Sequence, residues 1–318
     1  MPSLPLTPDA GPSRARPGRI GIVVIGRNEG ERLVRCLASV HPGSNPTVYV
    51  DSGSTDGSVA SARAAGATVV ELDTRTPFTA GRARNEGAAE LLRIDGAIDA
   101  IQFVDGDCEL DPAWLERAAD ALGSDPAIAI VCGRRRERHP ERSVYNRLCD
   151  REWNTPVGIA EACGGDFLAR ASAFVEVAGF TPDLIAGEEP DLCFRLRARG
   201  HSVHRIDAAM TLHDAAMTEF RQWWLRNVRS GHATAEALAR RGAKGDPKQL
   251  KLVASNLFWS LPTSLPLWPV LFARVYRGEP DAAYAASIVV GKLPHAQGQL
   301  QYWRSRLRGN ARTIIEYK

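Results

Sequence analysis

Two carboxylates, Asp105 and Asp107, stand one residue apart in FVDGDCEL, where the apolar run of Ile101, Phe103 and Val104 stops. Both can reach one divalent cation, and hard oxygen ligands suit Mg2+ or Mn2+. Without a counter-charge the two acids repel, and one tends to keep its proton. Arg82, Arg84 and Asn85, in TAGRARNEGAAELL, add cationic and amide groups of the kind that bind phosphate at a helix entrance. A diphosphate bridged by a metal would satisfy both halves. A further group of acids, Glu188, Glu189 and Asp191, opens GEEPDLCFRLRARG. Taken singly, Asp-Gly-Asp also reads as a solvated turn, and the second group as a charged helix start with Pro190 in its first turn.

Strands and helices alternate in the segments that must position these residues. Residues 20–25, 47–50, 68–72 and 101–104 are short, β-branched apolar runs that predict buried strands. Between them GRNEGERLVRCLASV, VASARAAGA and TAGRARNEGAAELL carry apolar residues at helical spacing, and a further helix is predicted over 112–122. Such alternation implies an α/β fold with a mostly parallel sheet covered on both faces, which binds ligands beyond the carboxyl ends of its strands. Asp51, Asp105 and Asp107 all follow strands and therefore share one edge. Further along, AFVEVAGF and DLCFRLRARG predict helices, with Gly179 and Gly200 as their stops.

In order, VVIGRNEGERLVRCLASV, VYVDSGSTDGS, GRARNEGA, FVDGDCEL, GGDFLARASAFVEVAGF and GEEPDLCFRLRARG resemble the inverting glycosyltransferases of family 2, which have the GT-A nucleotide-sugar-binding fold. The resemblance spans about residues 20–213. It implies a Mn2+- or Mg2+-dependent, inverting transfer of a sugar from a UDP- or GDP-linked donor to a hydroxyl acceptor. A glycan or lipid-linked sugar would be such an acceptor, as in polysaccharide or glycolipid synthesis. By the same resemblance Asp105 and Asp107 form a DxD motif, with Asp107 the direct metal ligand and Asp105 nearer the ribose and the metal's water shell. Asp51 falls on the base or ribose, Glu29, in the loop after the first strand, also binds the donor, and Arg84 and Asn85 lie beside it. Glu189 takes the general base's place, and Asp191 is the other candidate, better suited to capping or orienting. His213, ending a strand-like run, stands where some relatives of this fold supply a metal ligand, although a lone histidine also reads as structural. The chain departs from the family pattern at Ile25-Gly26-Arg27-Asn28-Glu29 and at Ser52, which leaves the base open between uracil and guanine.

Rival readings need other features. A sugar nucleotidyltransferase needs a Gly-rich, basic loop directly after the first strand, which GRNEGER matches poorly. Against a non-catalytic nucleotide-sugar-binding or membrane scaffold of the same fold stand the intact Asp105/Asp107 pair and Glu189. A formal charge of +3 gives no argument for nucleic acid. Six dispersed cysteines without metal spacing read as reduced, buried thiols, which favours a cytoplasmic setting.

Residues 1–19 predict a disordered tail, 20–240 the GT-A domain, and 241–318 a helical segment at a membrane interface or in a dimer contact. Within that last segment, residues 252–273 carry no charge, but Pro262, Pro266 and Pro269 argue against one straight helix. Trp259 and Trp268, flanked by Lys251, Arg274 and Arg277, suit a peripheral attachment to the cytoplasmic face of a membrane. A final basic, amphipathic helix is compatible with either arrangement. Trp223, Trp224, Arg226 and Arg229 read as core or as acceptor lining, His232 as structural, and the basic run GRRRERHPER as a solvated loop.

Overall fold

The structure, a computed structural model, describes residues 16–41, 44–76 and 78–309. Most of the predicted amino-terminal tail therefore lies outside the described residues. Nine strands form a single sheet: β1 (Ile20–Gly26), β2 (Thr47–Asp51), β3 (Thr68–Glu71), β4 (Ala100–Asp105), β5 (Cys108–Leu110), β6 (Ile128–Glu137), β7 (Gly158–Ile159), β8 (Phe167–Arg170) and β9 (Ser202–His213). Their spatial order is β3-β2-β1-β4-β8-β6-β9-β5, with β7 beside β9. The first four strands are mutually parallel, as their alternation with helices predicts. Beyond β4 the sheet is mixed, because β8 runs antiparallel to both β4 and β6 while β6 and β9 pair parallel.

Burial on both faces explains the apolar runs. Ile22, Val23, Val24, Val48, Val50, Ile101 and Phe103 have no exposed surface. Phe103, two residues before Asp105, packs against Phe167, Phe174 and Phe180 at ring-centroid distances of 5.1, 5.2 and 5.6 Å. Aromatic pairs of this kind contribute about 0.5–1.5 kcal/mol each beyond their buried area. They anchor the strand immediately beneath the acids. Register sets the edge: Gly26 pairs with Asp51 and Ile25 with Asp105, so β1, β2 and β4 end level.

The predicted helices are present at Glu31–Val40, Ser58–Ala64, Ala80–Ile94, Trp114–Ser124, Ala171–Glu176 and Glu188–Ala198. Gly179 and Gly200 follow the last two with φ of 65° and 89°, the left-handed geometry of helix stops. One reading is corrected. The run 133–142 is not a solvated loop throughout, because residues to Glu137 belong to β6 and bury the side chains of Arg135 and Glu137. Arg135 is neutralised by Asp105 and Asp166, and Glu137 accepts from Asn146 Nδ2 and the Ala215 N–H, partners from other segments that a local reading cannot show.

The carboxyl-terminal region is helical. Phe220–Gly245 carries one non-helical residue, Gly242, just beyond the expected boundary at 240. The uncharged stretch breaks into the helices Pro247–Trp259 and Trp268–Gly278 and a 3-10 turn over Pro262–Leu267, as its prolines require. No described helix is long and apolar enough to cross a membrane. Lys292–Arg308, the predicted basic helix, packs on Phe220–Gly245 through Gly298, Gln299 and Tyr302. All six cysteines are buried and unbridged.

Candidate active site

Asp105 ends β4, and the tight Gly106 turn sends Asp107 back toward β5. The Gly106 N–H donates to Ile25 O at 2.8 Å and fixes this turn to the end of β1. Asp105 is gripped by Arg84 Nη2 at 2.8 Å and lies 3.5 Å from Arg135 Nη2. Its own N–H donates to Asp166 Oδ1 at 3.0 Å. Burial works against the Asp105 charge, but Arg84 and Arg135 outweigh it and hold the carboxyl below its ordinary value. Gly165 makes room for this grip, since a Cβ there would overlap Asp105 Oδ2 and crowd Arg84 Nη2.

His213, the last residue of β9, places Nε2 3.1 Å from Asp107 Oδ2. The pairing of Cys108 with His213 across the β5–β9 ladder brings them together. Trp153 packs on the imidazole with ring centroids 4.7 Å apart. Asp107, Cys108 and His213 can all offer a ligand atom to one point. Burial, reinforced by Asp166, pushes the Cys108 thiol well above its ordinary value, and oxygen and imidazole donors suit Mn2+ or Mg2+ better than sulfur.

Arg84, from the helix Ala80–Ile94, reaches across the cleft. Its Nη1 lies 3.2 Å from Glu188 Oε1 and 3.1 Å from Glu189 Oε1. Burial penalises this cation, yet Asp105, Glu189 and Glu188 together hold it above its ordinary value. Glu189 is pushed up to about 7, first by burial and then by the neighbouring Glu188 charge, against the pull of Arg84. Arg135 also bridges to Asp166 Oδ2 at 2.8 Å. Four carboxylates, Asp105, Asp166, Glu188 and Glu189, thus share the two guanidinium groups of Arg84 and Arg135, and a fifth, Asp107, faces His213. That excess of buried negative charge, with an imidazole nitrogen beside it, fits a divalent cation.

These groups line a cleft of about 710 Å³ together with Glu29, Arg32 and Ser52. Glu29 faces Arg32 Nη2 at 2.7 Å. Other predicted residues are engaged elsewhere. Asp51 is buried, accepting from Tyr49 Oη at 3.0 Å and from the Gly53 and Ser54 N–H groups at 2.9 and 2.8 Å. Asn85 clamps the backbone of Phe180, donating to its O and accepting from its N–H, both at 2.8 Å. Arg82 holds the carbonyls of Asp73 and Thr76. Asp191 accepts from Thr181 Oγ1 at 2.7 Å and Arg195 Nε at 2.9 Å, away from the cleft wall. His232 is buried against Tyr302. Trp223 packs in a small apolar cluster with Cys149, Ala215 and Met217, while Trp224 Nε1 donates to Gln297 Oε1 at 2.8 Å. Arg226 pairs with Glu152 at 2.7 Å and, like Arg229, borders the cleft.

Arg135, Asp166 and Glu188 were given no role from sequence. Asp166 stood in the quoted GGDFLAR and Glu188 beside the candidate base, but nothing local marks them as partners of Asp105 and Arg84.

Residues 21–163 match the profile of glycosyl transferase family 2. The fold is GT-A. A mannosyltransferase from Pyrobaculum calidifontis, solved with GDP-Man and Mn2+, superposes with a TM-score of 0.60 at 18% identity, covering 93% of this chain and 90% of that one. Glucosyl-3-phosphoglycerate synthase from Mycobacterium tuberculosis, solved with Mn2+, UDP and glucosyl-3-phosphoglycerate, superposes at 0.51 with 20% identity, over 70% and 79% of the two chains. In sequence, a pre-mycofactocin glycosyltransferase of M. tuberculosis is 28% identical over 178 residues, 52% of this chain and 36% of the relative. The GT-A chain thus spans about a third of the length of the curated relatives it matches. The family match covers Arg84, Asp105 and Asp107 and ends before Glu189 and His213.

Proposed function

We propose that this protein is a metal-dependent glycosyltransferase that moves a sugar from a UDP- or GDP-linked donor to a hydroxyl acceptor, inverting the anomeric carbon. The observation that carries the reading is the pair of acid groups held on either side of Arg84, Asp105 on one and Glu189 on the other.

Asp107 and His213, with Asp105 beside them, would hold Mn2+ or Mg2+, and the ion when bound stabilises the negative charge of the leaving diphosphate. Arg84 and Arg135 keep Asp105 ionised and in place, and their positive charge supports the same diphosphate. Glu189, raised to about 7, is suited to take the acceptor hydroxyl's proton near neutral pH. A base on one side of the sugar and a diphosphate leaving on the other make one displacement, with inversion. Glu29, Arg32 and Ser52 line the nucleotide end of the cleft. Asp51 shapes the loop that carries Ser52, and Asn85 positions the Phe180 backbone.

We also place the tip formed by residues 258–270 at an anionic membrane surface. Phe258, Leu261, Leu265, Leu267 and Val270 are each about half exposed or more, and Lys251, Arg274 and Arg277 flank them on the surface.

Calorimetric titration of UDP and GDP with and without Mn2+ tests the donor reading. One nucleotide is expected to bind only with metal, and Asp107→Ala is expected to abolish that binding. Metal-independent binding, or none, would leave the scaffold reading in its place.

A further inference from the structure

A second cavity, of about 950 Å³, lies behind the cleft, between the sheet domain and the carboxyl-terminal helices. The two volumes share a wall that includes Gly187, Glu189, Arg226 and Arg229. Glu189 therefore borders both. On the far side the lining includes Lys292, Asn256 and His295. Lys292 Nζ donates to Asn256 Oδ1 at 3.1 Å and Ser255 Oγ at 3.3 Å, and among the described residues no carboxylate pairs with it. Burial alone acts on this ammonium and pulls it below its ordinary value, with no acid to offset the effect.

Arg226, Arg241 and Arg151, on the same lining, are matched by acids. Arg226 pairs with Glu152, Arg241 with Asp246, and Arg151 with Glu279 and Asp281. With its Oδ1 facing Lys292, Asn256 is left with Nδ2 buried and without a hydrogen-bond partner, and the residue is 1% exposed. His295 Nδ1 is likewise buried and unpartnered. A buried donor without an acceptor is costly, so Asn256 Nδ2 beside an unmatched cation marks a place for an acceptor-rich group.

We infer that this second cavity is the acceptor chamber and that the acceptor carries an anionic group, a phosphate or a carboxylate, seated on Lys292 and Asn256 while its hydroxyl meets Glu189. The inference rests on the glycosyltransferase reading for the role of Glu189, and on the cavity alone for the anion. Charge accounts for the choice: an anion supplies acceptor oxygens together with a counter-charge for Lys292, and a neutral sugar supplies no counter-charge.

Calorimetric titration of glycerol 3-phosphate, glycerate and glycerol into the full chain without added metal tests this. At least one of the two anions is expected to bind and glycerol is not, and which anion binds tells phosphate from carboxylate. Lys292→Gln, which keeps a donor for Asn256, is expected to weaken the anion tenfold or more, and Lys292→Arg to restore most of it. Asp107→Ala is expected to leave it unchanged. Equal binding by Lys292→Gln, loss in Asp107→Ala, or binding of neither anion would overturn the inference. The metal-dependent nucleotide titration reads the donor site separately. If it failed while the anion bound at Lys292, the glycosyltransferase reading would fall and the anion site would stand.

Discussion

At the residue scale the proposed base is Glu189. Its carboxyl is raised to about 7 by burial and by Glu188, while Arg84 opposes the shift. A general base works only when ionised, so turnover is expected to fall as pH drops through about 7, tenfold per unit on the acid side, and to level off above it. Glu188→Gln removes one of the raising charges and is expected to move that limb to lower pH. Glu189→Gln is expected to lower turnover by about 10²–10⁴ while metal-dependent nucleotide binding persists. Turnover within a few-fold of wild type would remove Glu189 from the base's role. Asp191, already engaged by Thr181 and Arg195, is expected to leave the pH limb in place when changed to Asn.

At the element scale, close backbone approach joins the carboxyl-terminal helix to the rest. A Cβ on Gly298 would overlap the Val228 carbonyl oxygen, and one on Gly231 the His295 carbonyl. The helices Phe220–Gly245 and Lys292–Arg308 therefore meet through glycines, and Gln299 and Tyr302 are buried in the same contact. Gly298→Ala is expected to cost about 1–3 kcal/mol by overpacking. Denaturant unfolding that shows a lower midpoint with an unchanged slope would bear this out, and an unshifted midpoint would contradict it. Because His295 and Lys292 ride on this helix, the contact also shapes the second cavity.

At the scale of the whole molecule, strand ends and the helices Ala80–Ile94 and Glu188–Ala198 gather the acids and arginines of the cleft, and the carboxyl-terminal helices carry an exposed apolar stretch. Sedimentation with vesicles tests the proposed use of that stretch. Vesicles rich in phosphatidylglycerol are expected to carry the protein down, and neutral phosphatidylcholine vesicles far less. Leu265→Asp combined with Val270→Asp is expected to abolish the binding, because both side chains are exposed and their loss leaves the core intact. Equal recovery with both lipids, or with the double variant, would dismiss the anionic surface as partner.

Periodicity alone determined the first four strands, the helices between them and the edge shared by Asp51, Asp105 and Asp107, because burial on both faces of a parallel sheet writes itself into consecutive residues. Prolines at 262, 266 and 269 likewise determined that the uncharged stretch would break. Side-chain partners were another matter. Arg135 stands in a run that reads as solvent-facing, and only β6 beside β8 and β9 turns it onto Asp166 and Asp105. His213 stands about a hundred residues from Asp107, and the β5–β9 register brings them to 3.1 Å. Asp51 and Asn85 could equally face a ligand or the backbone, and the loops around them decided for the backbone. Short-range pattern records which face of an element is buried; which charges meet across that burial is set by register and packing between segments far apart in the chain.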